Sequence, residues 1–188
     1  LAATLAASLG SLAAASDEVR KRGAPEDCIG EIFDAFYEGP TDRYAYGVLG
    51  DAIDWSVLTV AFGDNEVCPW RTNQLSVELH PTRVFEDTAP RLADLDGDEI
   101  AEMITVESAL TQGARLTVWG QRGGVFRRVA TTPFIGRANR CLAPVAAADV
   151  DGDWQMELAY VDRPHLAKTL RVWRFYNDNL TEVAALSG

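Results

Sequence analysis

Asp94-Leu95-Asp96-Gly97-Asp98-Glu99-Ile100-Ala101-Glu102 and Asp149-Val150-Asp151-Gly152-Asp153-Trp154-Gln155-Met156-Glu157 are two copies of one pattern, D-x-D-G-D-x-x-x-E, 55 positions apart. Carboxylates at positions 1, 3 and 5, with a fourth at position 9, suit a hard cation. Calcium takes six to eight oxygen ligands in irregular geometry and is the natural guest. The expected ligands in the first copy are the side chains of Asp94, Asp96, Asp98 and Glu102 and the carbonyl of Ile100. In the second they are the side chains of Asp149, Asp151, Asp153 and Glu157 and the carbonyl of Gln155. Without a cation these carboxylates repel one another, so ion binding and local folding are expected to be linked. An EF-hand needs a bidentate Glu at position 12, where Thr105 and Tyr160 stand, and is excluded. An ion-free acidic turn is the plainer alternative, since Asp and Gly are ordinary turn residues. Identical spacing in two copies, each followed by an apolar run, weighs against it.

The match continues beyond the loops. Ala89-Pro90 and Ala143-Pro144 precede them, and Met103-Ile104-Thr105-Val106 and Leu158-Ala159-Tyr160-Val161 follow. Then come Leu116-Thr117-Val118-Trp119 and Leu170-Arg171-Val172-Trp173, and finally Val129-Ala130 and Val183-Ala184, at an offset of 54. The segments are short and rich in β-branched and aromatic residues. Gln121-Arg122-Gly123-Gly124 and Tyr176-Asn177-Asp178-Asn179 can turn hairpins between them, which is strand punctuation. Apolar runs directly after the loops imply strands covered on both faces. A meander whose first strands are buried by neighbouring copies describes a propeller blade. Trp119 and Trp173, at equivalent strand positions, are expected in the core. A degenerate copy is expected at Ser56–Phe62, and a strand over 29–37.

Loops of this form followed by an apolar strand resemble FG-GAP or VCBS-type repeats, over Ala93–Glu102, Ala148–Glu157 and about 89–188. These repeats build the calcium-binding propellers of integrin alpha subunits and of many secreted bacterial proteins. The resemblance implies calcium on Asp94, Asp96, Asp98 and Glu102 and on Asp149, Asp151, Asp153 and Glu157. The family pattern has Gly where Glu99 and Trp154 stand, because the chain there tends toward positive φ. Gly97 and Gly152 are expected to supply the bend instead, with affinity in the range of extracellular calcium modules, roughly 10⁻⁴ to 10⁻³ M.

The remaining sequence sets the context. Formal net charge is −11, with 17 Lys and Arg against 28 Asp and Glu. An acidic chain without a basic cluster argues against nucleic acid and anionic membranes as partners. Residues 1–16, LAATLAASLGSLAAAS, are uncharged. They are too short to span a bilayer and read as a secretory signal segment with Ala13-x-Ala15 as its cleavage site. Cys28, Cys68 and Cys141 fit no metal spacing, and in a secreted chain suggest one disulfide and an odd thiol. Asn179-Leu180-Thr181 matches a glycosylation sequon, a tripeptide that arises often by chance.

The expected organisation is an all-β, propeller-like chain: a signal-like segment at 1–16, an irregular part with a degenerate blade at 17–88, and repeat units at 89–142 and 143–188. Without the first 16 residues the chain holds about three units of 54. Propellers close with four to eight blades, so the expectation is an open arc from a longer protein. The function expected is a secreted or periplasmic calcium-binding segment serving adhesion or the binding of a protein or carbohydrate, and not an enzyme. The alternative is a propeller-fold hydrolase or lyase with catalytic residues partly outside this stretch. Only His80 and His165 are available as histidines, each beside a proline in a turn-like setting. No nucleophile elbow, His-Glu-x-x-His motif or phosphate loop occurs. Trp154, within a loop, is expected to be partly exposed, as an interface or sugar-stacking residue or simply as a cover for the loop.

Overall fold

The structure is a computed structural model that describes residues 20–23, 30–44, 46–47, 50, 52–63 and 73–188. The signal-like segment, Cys28, Cys68 and Trp70 lie outside the described residues. Among those described, the chain is all-β. The strands are β1 (Arg20–Gly23), β2 (Ile32–Thr41), β3 (Asp54–Phe62), β4 (Gln74–Glu78), β5 (Arg83–Phe85), β6 (Arg91–Ala93), β7 (Glu102–Ala109), β8 (Gly113–Arg122), β9 (Val125–Thr131), β10 (Leu142–Ala148), β11 (Glu157–Asp162), β12 (Thr169–Tyr176) and β13 (Asn179–Leu186). No helix of the described residues is long and apolar enough to cross a membrane.

Two antiparallel four-stranded meanders carry the acidic loops. One runs β6-β7-β8-β9, the other β10-β11-β12-β13. Their registers coincide: Ala93 faces Glu102 as Ala148 faces Glu157, and Met103 faces Trp119 as Leu158 faces Trp173. Both last hairpins close in two residues, Gly123-Gly124 and Asn177-Asp178, all with positive φ. That is the geometry whose twist matches paired strands. Both also bulge at the same place, between Val118 and Trp119 and between Val172 and Trp173. The bulge leaves Val129 of β9 and Val183 of β13 as the extra, unpaired residues.

Packing distinguishes the two units. In the first, the face bearing Met103, Trp119 and Phe126 packs on Ile32, Tyr37, Leu58, Val60, Phe62, Leu75 and Val77 of the N-terminal strands. Its opposite face, with Ile104, Val106, Leu116, Val118 and Ala130, packs on Leu158, Tyr160, Trp173, Phe175 and Leu180 of the second unit. Every residue of β7 is therefore buried. In the second unit the face equivalent to Ile104, Val106, Leu116, Val118 and Ala130 is Ala159, Val161, Leu170, Val172 and Ala184. These are also apolar, yet the first four are half-buried and Ala184 is exposed.

Two features of the N-terminal part were not expected. The inner edge strand of the first unit is split. β5 and β6 both pair with β7, at Arg83–Phe85 and Arg91–Ala93, around an interruption at 86–90. β5 also pairs with β3 through Phe85 and Trp55, so the N-terminal strands and the first unit form one curled sheet. The segment expected over 29–37 is a strand at 32–41, the edge partner of β3, and the degenerate copy at 56–62 is β3 itself.

Candidate metal centre

Each acidic loop joins the first and second strands of its unit. In the first, Asp94 Oδ1 accepts the Gly97 N–H at 2.7 Å and Asp94 Oδ2 accepts that of Glu99 at 3.0 Å. In the second, Asp149 Oδ1 accepts from Gly152 at 2.7 Å and Oδ2 from Trp154 at 3.0 Å. The position-1 aspartate thus ties the loop to its own backbone. Gly97 and Gly152 take φ 80° and 79°. Glu99 and Trp154 also take positive φ, 68° in both copies. The glycines two positions earlier therefore do not relieve the residue after the third aspartate. That residue adopts the left-handed conformation that the loop requires, at a cost of roughly 1–2 kcal/mol for an L residue with a Cβ.

The position-9 glutamates are the buried members. Glu102 and Glu157 are each 1 % exposed. Their Oε2 atoms accept the N–H of Leu95 and Val150, both at 2.9 Å. In each loop three carboxylates converge, Asp94, Asp96 and Glu102 in one and Asp149, Asp151 and Glu157 in the other, with an oxygen of each within 4.8 Å of the others. Asp98 and Asp153 are not part of these sets. Asp98 Oδ1 accepts the Ile100 N–H at 2.8 Å and Asp153 Oδ1 that of Gln155 at 3.0 Å. The converging oxygens form a hard-donor set, the chemistry that a calcium ion takes.

Each set also meets an arginine from the third strand of its own unit. Arg174 donates from Nε to Glu157 Oε1 at 2.7 Å and from Nη2 to Asp151 Oδ2 at 2.6 Å, and its Nη1 lies 3.0 Å from Asp153 Oδ2. Arg122 donates from Nη1 to Glu102 Oε1 and from Nη2 to Asp96 Oδ2, both at 3.0 Å. Its Nε reaches across to Asp178 Oδ1 of the second unit at 2.7 Å. Composition hinted at arginine, which far outnumbers lysine, but the partners emerge only from strand register. Arg174 directly faces Glu157. Arg122 is two residues past Gly120, the residue opposite Glu102, so no repeat offset reveals it.

The electrostatics of the two loops differ. Burial first, then the neighbouring Asp98 charge, pushes the Asp96 carboxyl up. Burial also pushes Glu102 up against the pull of the Leu95 N–H and Arg122. The hydrogen bond from Arg174 holds Asp151 below the usual carboxylate range, and the bonds to Glu157 and Asp151 raise Arg174 in turn. Arg122 is pulled down by burial, but its bonds to Asp178 and Glu102 outweigh this and the net direction is up.

The histidines lie elsewhere. His80 Nδ1 sits 2.9 Å from Thr82 Oγ1 in the turn before β5, and His165 is exposed in the turn after β11. Trp119 is fully buried and Trp173 is 8 % exposed, whereas Trp154, within the second loop, is 94 % exposed. Cys141 is a buried free thiol. No family model, curated protein or solved structure matches the chain.

Proposed function

We propose that this chain is a secreted segment of calcium-stabilised β-propeller repeats of the FG-GAP or VCBS type, serving adhesion or the binding of a protein or carbohydrate. The carrying observation is the duplicated convergence of three carboxylates at the entrance to β7 and β11. One guanidinium offsets only part of the charge of each loop, so a divalent cation still gains from entering. Asp94, Asp96 and Glu102 would hold one ion and Asp149, Asp151 and Glu157 the other, with Asp98, Asp153 and the carbonyls of Ile100 and Gln155 completing the shells. The ion's role is structural: it pins the turn between the first two strands of a unit and so fixes the loops on one face. Loops on a rigid scaffold commonly carry recognition, and the exposed Trp154 ring offers a flat apolar surface within one of them.

Calorimetric titration of the full chain with calcium tests this reading. Two sites are expected in the range of roughly 10⁻⁴ to 10⁻³ M, one lost in Asp94→Asn and the other in Asp149→Asn. Absence of heat and an unchanged unfolding midpoint between chelator and millimolar calcium would sink it.

A further inference from the structure

We propose that Arg122 and Arg174 are resident counter-cations of the two acidic loops. Each guanidinium holds its loop folded without an ion, and calcium competes with it for the carboxylates at positions 3 and 9. The competition rests on the calcium reading above; the resident role does not. The strongest support is that the same guanidinium placement is reached from two different strand positions. In the second unit Arg174 stands directly across from Glu157 and contacts Asp151, Asp153 and Glu157. In the first unit the register that pairs Met103 with Trp119 continues to Glu102 and Gly120. A Cβ there would lie 3.1 Å from Glu102 Cγ and 3.2 Å from Arg122 Nη1. The glycine leaves the space that the arginine two residues further along the same face uses to reach Asp96 and Glu102. The register is kept and the arginine has moved, yet the guanidinium still bridges the position-3 and position-9 carboxylates.

The two loops are not equally neutralised. Arg174 gives all three of its contacts to its own loop. Of the three ion pairs of Arg122, two go to its loop and one to Asp178 of the other unit. The first loop also carries Glu99, where the second has Trp154. It keeps more uncompensated negative charge and fills first. A positive charge this close to a divalent ion opposes its binding by Coulomb repulsion, so replacing either arginine by a neutral residue should tighten calcium at that loop about tenfold or more.

The test compares the full chain with Arg122→Gln and Arg174→Gln by calcium calorimetry and by thermal unfolding in chelator and in millimolar calcium. The parent is expected to fold in chelator with a modest gain from calcium. Each variant is expected to melt lower in chelator, to recover in calcium, and to bind the ion more tightly at the altered loop. Arg174→Lys, which keeps the charge without the planar fork, should recover part of the stability in chelator. Variants that melt like the parent in chelator overturn the resident role, and variants that bind calcium no more tightly than a calcium-binding parent overturn the competition; with a calcium-binding parent, either result leaves the calcium reading standing. Variants that fail to fold even in calcium also overturn it, because the arginine would then be a packing residue that no ion replaces. If no protein binds calcium but both variants melt lower, the calcium reading falls and the resident role stands.

Discussion

Glu86 should set the pH dependence of stability in this fold. It follows β5 at the point where the inner edge strand of the first unit breaks, and its N–H donates to the Val106 carbonyl at 3.0 Å. Its side chain lies against β7, where Oε2 accepts from the Ser108 hydroxyl. It is 4 % exposed, and Oε1 is buried with no hydrogen-bond partner. Burial is the main reason its carboxyl is pushed from 4.5 to about 7; the Ser108 bond opposes the shift, and the charges of Asp54 and Asp87 add to it. The folded protein therefore holds this proton more tightly than the unfolded chain does. The stability it contributes is fully present below about pH 4.5 and is lost as pH rises through about 7. A shift of that size at 1.36 kcal/mol per unit amounts to about 3 kcal/mol. Glu86→Gln removes the titration and keeps the shape. At pH 8 the variant should be more stable by up to about 3 kcal/mol, a rise in Tm of roughly 6–12 °C for a chain of this size, with the two proteins converging near pH 5. Urea unfolding of both from pH 4.5 to 8.5 measures the difference directly, and other carboxylates cancel in the subtraction. A variant that runs parallel to the parent across that range would refute the reasoning.

Two further outcomes follow from backbone and packing. Trp154→Gly and Glu99→Gly should each stabilise by roughly 0.5–1 kcal/mol by relieving left-handed strain, the gain being reduced by the entropy of glycine in the unfolded chain. Thermal unfolding that shows both variants destabilised would contradict the strain argument. Val118→Lys should cost more than about 4 kcal/mol, because it buries a charge between the two units. Val172→Lys, at the equivalent position on the open face, should cost under about 1 kcal/mol, since a lysine stem can reach water there. Equal costs in urea unfolding would show that the face of β11 and β12 is covered in solution.

Much of this architecture was legible because it is local. D-x-D-G-D places its carboxylates by turn chemistry alone, and glycine or Asn-Asp pairs mark the last hairpins without reference to distant chain. The core positions of Trp119 and Trp173 followed from their shared place in the repeat. The arginines were not legible because their partners lie across a strand pair. Arg174 reaches Glu157 over 17 positions and Arg122 reaches Glu102 over 20, and the register between those strands is set by packing rather than by spacing. The same applies to β5, whose pairing with both β3 and β7 depends on the interruption at 86–90. Asp98 and Asp153 show turn chemistry of the same local kind: each accepts the N–H two residues on, which a short polar side chain does readily in a turn.

The two units draw their stability from different sources, and this bears on how the loops work. The first is buried on both faces, so its β7 and β8 are held by neighbours whatever its loop does. The second keeps its Ala159, Val161, Leu170 and Val172 face only half covered. In repeat architectures stability is close to a sum of unit and neighbour contributions, and a unit with one face only half covered relies more on its internal ties. Arg174 is such a tie: it joins β12 to the loop before β11 entirely within the second unit. Arg122, by reaching Asp178, joins the first loop to the β12–β13 turn. The better-packed unit thus shares its guanidinium and keeps the more electronegative loop. The less-packed one holds its guanidinium to itself.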